Sequence, residues 1–154
     1  MQVEEKLHVL GLSLPEPPTA VGNYIGAVQV DNLLFVSGHG PRRHGDFDLV
    51  AGKVGRDLTT AQAYDVAKMV MVNCLASVKR ELGDLDRVKR IVKLFGMVNC
   101  TEDFTEQPQV INGASDLLVE LYGEAGRHAR SAVGMQQLPM DIPVEIEMIV
   151  EVEA

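Results

Sequence analysis

The stretch RSAVGMQQLP at 130–139, followed by VEIE at 144–147, decides how the chain is interpreted. It places one arginine at the head of an apolar strand, a tight PMDIP connection, and a second strand with Glu145 near its start. A guanidinium is a rigid, permanently charged fork that can grip a carboxylate through two hydrogen bonds. A carboxylate close by can orient a water molecule or transfer a proton. Together, Arg130 and Glu145 indicate a site for a small organic acid.

Each of these two residues also has a plainer interpretation. Arg130 fits equally well as a surface arginine paired with a nearby carboxylate. The last strand alternates between one face with apolar side chains at 144, 146, 148, 150 and 152 and another with glutamates at 145, 147, 151 and 153. Taken alone, that strand indicates a solvated acidic face. Both interpretations stay open at the level of pattern.

Length and composition favour one soluble domain spanning residues 1–154. Hydrophobic residues make up 46% of the chain, which is enough for a substantial core. The formal net charge of −8 disfavours nucleic acid and anionic membrane as partners, because those require a basic surface. No apolar stretch approaches the length needed to span a bilayer.

The cysteine count and the start of the chain indicate a reducing compartment. Cys74 and Cys100 each lie among apolar residues, which predicts buried free thiols and not a secreted disulfide framework. The first residues, MQVEEK, are acidic and lack a signal-peptide pattern. We therefore expect a cytoplasmic protein.

The first half of the chain predicts a hairpin and a long helix. Two runs with β-branched and aromatic residues, at 27–30 and 33–37, flank Asp31-Asn32, which is typical of a hairpin turn. A basic, glycine-rich loop is expected at 38–46, and a brief strand at about 49–54. Helical spacing of apolar residues over 59–82 predicts a helix that begins with a Thr-x-x-Gln capping box and ends at a glycine.

The second half predicts a strand, a helix and two strands. These elements are expected at 88–98, 106–122, 130–138 and 143–153, with a proline tolerated in the first turn of the helix. Residues 1–10 are expected to form a short helix or strand, and 14–18 an extended lead-in. The order predicts an α+β fold in which a mixed sheet carries two helices on one face.

The sheet face away from the helices is predicted to need a partner. Leu34, Val36, Val133 and Val144 are assigned to that face and are too apolar for water. Self-association would bury them, so we expect a homo-oligomer with sites between subunits.

Three further groups of residues are candidates for a site. Tyr24 lies between glycines in GNYIG at 22–26, where it either donates a hydrogen bond to a ligand or packs in a turn. Ser37-Gly38 ends a strand, where backbone N–H groups either hold an oxygen anion or form a simple turn. His39 and His44, with the arginines at 42 and 43, suggest a metal or phosphate site, but a solvated loop fits them better. No P-loop, dinucleotide fingerprint or nucleophile elbow is present.

Arg130-Ser-Ala-Val-Gly, Leu138-Pro139 and Val144-Glu145-Ile146-Glu147 resemble the C-terminal signature of the RidA family, also called YjgF or L-PSP endoribonuclease-like. Val36-Ser37-Gly38 and the order of elements resemble it as well, over roughly residues 20–153. The resemblance implies a chorismate-mutase-like fold and a homotrimer with three clefts that bind small carboxylic acids. It also implies hydrolysis of reactive enamines and imines to 2-keto acids and ammonia, with no cofactor or metal.

Carried over by motif, the resemblance gives each residue a role. Arg130 would grip the substrate carboxylate, and Glu145 would position the attacking water. Tyr24, Ser37 and the Gly38 backbone would line the cleft. Asn112, in the second helix, matches a family asparagine across an apparent insertion.

Other positions depart from the family pattern. Ala132 stands where many deaminating members have a cysteine, two residues after the arginine, and it falls among the substrate-binding positions. His39 replaces the glutamine usual after Ser-Gly. With the basic loop that follows, these differences indicate a divergent subgroup.

The sequence therefore predicts a trimeric hydrolase of small 2-imino or enamino acids. One alternative is a non-catalytic protein that binds a keto acid or a similar carboxylate, which needs Arg130 but not Glu145. Another is RNA cleavage, which the acidic charge and the scarcity of interleaved aromatic and basic residues disfavour.

Overall fold

The computed structural model describes residues 2–17, 20, 22–42 and 50–154. The regular elements are α1 (Gln2–Val9), β1 (Ala27–Val30), β2 (Leu33–His39), α2 (Thr60–Leu82), β3 (Val88–Asn99), α3 (Gln107–Tyr122), β4 (Ala129–Met135) and β5 (Val144–Val152). Short 3-10 turns lie at Leu85–Arg87, Gly123–Gly126 and Pro139–Asp141. The predicted hairpin, both predicted helices and the three later strands are confirmed within a few residues.

The five strands form one mixed sheet in the order β1-β2-β5-β3-β4. β5 is the central strand and runs antiparallel to both of its neighbours, β2 and β3. β4 lies at the edge of the sheet, where β3 is its one partner among the described strands, and the two run in parallel through the crossover made by α3. The predicted α+β fold with a mixed sheet is confirmed.

The two long helices begin and end as their sequences dictate. Thr59 accepts a hydrogen bond from the Gln62 N–H, and the Gln62 side chain accepts one from the Thr59 N–H, which completes the capping box of α2. Gly83 ends α2 with φ +81°, a left-handed conformation that glycine adopts without strain. α3 carries Pro108 in its first turn, where no intrahelical N–H bond is lost.

The helices cover one face of the sheet, as predicted. The expectation of which side chains lie on the opposite face needs correction. Leu34, Val36 and Val144 are buried in the core beneath the helices and do not lie on the opposite face. Val133 does lie on that face, since it pairs with Met97 and not with a core residue. The face away from the helices, called the open face below, is apolar through a different set: Val28, Val30, Phe35, Phe95, Met97, Val133 and Ile149.

Residues 2–9 form a helix, which settles the helix-or-strand alternative. Val3 and Leu7 are buried, and α1 packs against α3 and the turn at Leu85–Arg87. The Asp86 carboxylate accepts hydrogen bonds from the N–H groups of Gln2 and Val3. This carboxylate therefore caps a helix that begins far away in sequence.

Two smaller expectations need correction. No strand forms over 50–54, where Val54 makes only isolated bridges to Leu58 and Cys100, and residue 49 lies outside the described part. The loop expected from residue 38 begins later, because Gly38 and His39 still belong to β2. Residues 43–49 of that loop lie outside the described residues.

Both cysteines are free thiols, as predicted. Cys74 is fully buried in α2, and burial raises the pKa of its thiol. Cys100 is only partly buried, so the prediction of burial holds for one of the two. Among the described residues, no helix combines the length and the apolarity that crossing a bilayer requires.

Gly113 tests the packing of α2 on α3. A Cβ atom at this position would lie 2.0 Å from the backbone oxygen of Tyr64. A glycine-to-alanine change inside a helix ordinarily stabilises it by about 1 kcal/mol. We expect Gly113→Ala to do the opposite and lower the free energy of unfolding by about 1–3 kcal/mol, because the helices must separate.

Urea unfolding measures this effect, and Glu120→Ala on the exposed side of α3 is the control, with an expected change within about 0.5 kcal/mol. A Gly113→Ala protein as stable as the wild type would show that the two helices are not in close contact.

Candidate functional site

A β-bulge in β2 shapes the candidate site. Val36 pairs with Met148 and His39 with Ile146, so three steps along β2 match two along β5. The extra residue lets both Val36 and His39 point into the core, although they are three positions apart, an offset that would put them on opposite faces of a regular strand. Ser37 and Gly38 are left beside Glu145.

Hydrogen bonds to neighbouring elements fix the bulge. The Ser37 hydroxyl donates to the Ile25 carbonyl at 2.6 Å, and the Ser37 N–H donates to the Gly26 carbonyl at 2.9 Å. His39 Nδ1 lies 2.5 Å from the Ser37 carbonyl and Nε2 lies 2.7 Å from Ser77 Oγ. A carbonyl only accepts, so Nδ1 carries the proton and Nε2 accepts from Ser77. The histidine ring therefore ties the bulge to α2.

His39 is thus a structural histidine and not part of a solvated loop. Its side chain is buried, and that burial lowers its pKa and keeps the ring neutral at pH 7. Both ring nitrogens have partners, which leaves neither to bind a metal. Of the other members of the suggested metal or phosphate site, Arg42 is exposed, and His44 and Arg43 lie outside the described residues.

Glu145 lies directly over Gly38. A Cβ atom on Gly38 would lie 2.5 Å from Glu145 Oε2, so only glycine admits the carboxylate in this position. Burial of the half-buried Glu145 raises its pKa, and the charge of Glu147 raises it further. A carboxylate with a raised pKa beside a pocket is suited to accept a proton from water.

The pocket at Glu145 has a volume of about 580 Å³, and it is open to solvent. Tyr24, Ser37, Gly38 and Glu145 all line it, so the structure brings these four predicted residues together. The lining also includes Ala20, Gly26, His39, Gly40, Arg42, Pro139, Met140, Ile142 and Glu147. The pocket is large enough for a small metabolite.

A strained turn forms one wall of this pocket. Met140 and Asp141 have φ values of 58° and 57°, a left-handed conformation that costs non-glycine residues roughly 1 kcal/mol or more each. Asn99 Nδ2 donates to Asp141 Oδ1 at 3.0 Å, and the Gly52 N–H donates to the Asp141 carbonyl at 2.7 Å. Lys53 in turn donates to Asn99 Oδ1 at 2.7 Å. These buried polar contacts hold the exposed Met140 at the pocket wall.

Arg130 lies elsewhere on the chain. It pairs with Leu94 on the core side of the sheet edge, whereas Glu145 pairs with Met97 on the open face. Two strand spacings and three residues along the strand separate the two Cα atoms, about 14 Å in all. The expectation that the carboxylate lies close to the arginine is therefore wrong within one chain. The reason is that β3 inserts between β4 and β5, although β4 and β5 are consecutive in sequence.

Arg130 forms a second group with two other predicted residues. Its Nη1 donates to Ser115 Oγ at 3.0 Å and its Nη2 donates to the Pro108 carbonyl at 3.2 Å. Asn112 lies on the same side of α3, since positions 108, 112 and 115 follow helical spacing. Ala132 follows on the same side of β4 as Arg130. The chain thus carries two separate groups, the Arg130 group and the Glu145 pocket.

Ser115 and His128, which hold Arg130 in place, were not among the predicted site residues. Ser115 Oγ lies 2.9 Å from His128 Nε2, and His128 Nδ1 lies 2.7 Å from the Gly126 carbonyl. Burial lowers the pKa of His128, and the charge of Arg130 lowers it further. The available signal was a histidine two residues before the arginine, just before β4 begins, because extended backbone puts side chains two residues apart on the same side.

Glu145→Gln tests the raised pKa of Glu145 through stability. The unfolded chain has the ordinary, lower pKa, so between the two values the folded state binds more protons and stability falls as pH rises. The ionised carboxylate therefore destabilises the fold at neutral pH. We expect Glu145→Gln to melt above the wild type at about pH 7, and the difference to vanish near pH 4 where the wild-type carboxyl is protonated.

Thermal unfolding at the two pH values measures this difference, with the exposed Glu153→Gln as the control. A Glu145→Gln protein that melts below the wild type at pH 7 but not at pH 4 would contradict the raised pKa of Glu145.

The chain is similar to known proteins over nearly its whole length. Residues 4–151 match the family described as "YjgF/chorismate_mutase-like, putative endoribonuclease". Protein TCP17 of Trypanosoma cruzi is 40% identical over 151 residues, covering 97% of this chain and 94% of that protein. The crystal structure of Atu1372 from Agrobacterium tumefaciens matches with a TM-score of 0.91 and 45% identity, covering 99% of this chain and 93% of the other.

A relative that is named for an enzymatic activity is less similar in sequence. The 2-iminobutanoate/2-iminopropanoate deaminase of Dermatophagoides farinae is 28% identical over 142 residues, which covers 92% of this chain and 95% of that protein. The fold, the signature around Arg130 and Glu145, and the family match over 4–151 agree with one another. The chain belongs to the RidA family of YjgF/chorismate mutase-like proteins.

Proposed function

We propose that this protein is a homotrimeric hydrolase that converts small 2-imino or enamino acids to 2-keto acids and ammonia at clefts between its subunits. The observation that carries the proposal is the separation of the Arg130 group from the Glu145 pocket. Each group has half of the chemistry that such a reaction needs. A second copy of the chain, docked with its β4 edge beside the first copy's Glu145 pocket, would supply the other half.

The surface of the chain supports this docking. The open face exposes large apolar side chains, with Val28 48%, Val30 54% and Phe35 43% exposed. Ile25, beside the pocket, is 61% exposed. Contiguous apolar surface of this kind is typical of a protein interface. No described strand pairs with the outer edge of β4, so a neighbouring subunit could cover the backbone groups of this edge.

Arg130 retains the capacity to bind a carboxylate. A guanidinium has five N–H donors, and the described residues accept from only two of them. The remaining donors can hold both oxygens of a substrate carboxylate. Asn112, on the side of α3 that carries the partners of Arg130, and the backbone at Ala132, two residues further along β4, are proposed to contact the rest of the bound acid.

The Glu145 pocket would supply the water. As water adds to the carbon of the protonated imine, a C–O bond forms, the C=N π electrons move to nitrogen, and the Glu145 carboxylate accepts the proton that the water loses, which leaves a neutral carbinolamine. Glu145 returns this proton to the amino nitrogen, the C–N bond breaks and ammonia leaves, and the hydroxyl oxygen loses its proton to solvent as the keto group forms. Ser37, the Gly38 backbone and Tyr24 would align the substrate there. The proposed steps use no cofactor and no metal.

The family match and the deaminase of Dermatophagoides farinae support the reaction type. RNA cleavage is less well supported, because Glu145 and Glu147 line the pocket and would repel phosphate, and the net charge is −8. A cytoplasmic location, expected from the free thiols, is consistent with the proposed substrate class.

Single substitutions separate catalysis from binding. We expect Arg130→Ala to lower kcat/KM for 2-iminobutanoate, made in situ, by at least about 100-fold, because the substrate carboxylate loses its partner. We expect Glu145→Gln to lower kcat by about 100-fold or more while 2-oxobutanoate still binds. The rate of ammonia release gives kcat and kcat/KM, and titration calorimetry measures the binding of 2-oxobutanoate. Glu153→Gln is the control for both measurements.

Two outcomes of that experiment would change the conclusion. An Arg130→Ala protein with the wild-type rate would refute the mechanism. A wild type that binds 2-oxobutanoate through Arg130 but releases no ammonia from any imine would establish the non-catalytic carboxylate-binding protein instead.

Mixing two inactive variants tests the shared cleft. Subunits of Arg130→Ala and Glu145→Gln, unfolded together and refolded at a ratio of 1:1, should recover about a quarter of the wild-type activity, since a random pair supplies both intact residues at that frequency. Each variant refolded alone is the control. No recovery in mixtures shown to contain hybrid oligomers would place the whole site within one chain.

A further inference from the structure

The guanidinium of Arg130 is held by a continuous chain of hydrogen bonds. These hydrogen bonds link the Gly126 carbonyl to the His128 ring at 2.7 Å, the ring to the Ser115 hydroxyl at 2.9 Å, and the hydroxyl to Arg130 Nη1 at 3.0 Å. Three elements contribute: the turn at Gly123–Gly126, α3 and β4. None of the residues other than Arg130 has a role in the proposed reaction.

The donor and the acceptor of each of these hydrogen bonds follow from the chemistry of the groups. The Gly126 carbonyl can only accept, so His128 Nδ1 carries the ring proton. Nε2 of the neutral ring then accepts, which makes the Ser115 hydroxyl the donor. The lone pairs of Ser115 Oγ are left facing Arg130, whose N–H groups can only donate. A serine oriented in this way is an acceptor fixed toward the guanidinium.

We propose that His128 and Ser115 are positioning residues that hold Arg130 in the orientation that binds a carboxylate. An arginine side chain has many rotamers, and an unsupported one loses that freedom when it binds a ligand. Anchoring Nη1 on Ser115 and Nη2 on the Pro108 carbonyl fixes the plane of the guanidinium before the ligand arrives. That the ligand is a carboxylate rests on the proposed function. The relay, meaning the hydrogen bonds from Gly126 through His128 and Ser115 to Arg130, does not depend on it.

Ser115 is better suited to this role than to that of a nucleophile. Its oxygen accepts a hydrogen bond from a permanent cation, which withdraws the electron density that an attack requires. Its histidine partner is oriented by a backbone carbonyl and not by a carboxylate. The Ser115–His128 pair therefore acts through Arg130.

Conservative and disruptive variants of both residues test the relay. Ser115→Ala removes the acceptor and Ser115→Thr keeps it, while His128→Leu removes the ring nitrogen and His128→Gln keeps an acceptor near Nε2. We expect Ser115→Ala and His128→Leu to weaken 2-oxobutanoate binding and raise KM about tenfold. Because Arg130 binds substrate and transition state alike, kcat should change far less. The Thr and Gln variants should recover most of the affinity.

Ser131→Ala is the matched control, because it removes a hydroxyl next to Arg130 that lies on the opposite side of β4. Thermal unfolding checks that each variant is folded. Unchanged affinity and KM in Ser115→Ala, or a threonine variant no better than the alanine variant, would overturn the proposal.

NMR spectroscopy separates a failure of the relay from a failure of the proposed function. The nitrogen shifts of His128 in the wild type should show a neutral ring protonated at Nδ1, and the Nε–H group of Arg130 should become more mobile in Ser115→Ala than in Ser115→Thr. Neither measurement needs a substrate. The opposite tautomer, or equal mobility in all variants, would overturn the relay even if the protein hydrolyses imines.

Discussion

The pairing of β5 with both β2 and β3 is the constraint on which the rest of the structure depends. It makes the last strand of the chain the central strand of the sheet. Every other residue of β5 is then buried beneath the helices, from Val144 to Val152, and the glutamates are placed on the open face. The same pairing leaves β4 at the edge and separates Arg130 from Glu145. The architecture of the sheet, and not the chemistry of either residue, thus explains why the two groups are separate within one chain.

The Glu145 pocket combines several features that oppose stability. A carboxylate with a raised pKa, a β-bulge, and a turn with two left-handed non-glycine residues lie side by side. Each persists because neighbouring elements fix it: His39 and Ser77 hold the bulge, and Asn99 holds the turn. Strain and perturbed groups concentrate where proteins carry function, so their co-location agrees with the site proposed here.

The Arg130 group is organised differently. Its contacts run to backbone carbonyls and neutral side chains, Pro108, Ser115 and, through His128, Gly126. No carboxylate within the described residues forms an ion pair with Arg130, so its charge is available to a ligand. One group is therefore an oriented cation and the other a half-buried carboxylate. A cleft that combined them would suit a substrate that carries a carboxylate beside a carbon open to attack by water.

Much of this could be predicted from particular residues. The helical spacing between Thr59 and Gly83, with its capping box, specifies α2 almost to the residue, and Asp31-Asn32 specifies the hairpin. The signature around Arg130 and Glu145 identified the family. The residues of the open face were predicted poorly, because Leu34, Val36 and Val144 were assigned to that face but are buried beneath the helices. The supporting residues Ser115 and His128 were missed, since their role depends on a contact between a helix and a strand.

The amino-acid sequence by itself determined which segments are helices and long strands, and it pointed to Arg130 and Glu145 as the charged candidates for a site. Only the tertiary structure decided that β3 lies between β4 and β5 and that α3 supplies the acceptors for Arg130. The physical reason is that local periodicity and capping are written in neighbouring residues, whereas strand order follows from which surfaces bury each other best. Such a choice depends on the whole chain at once.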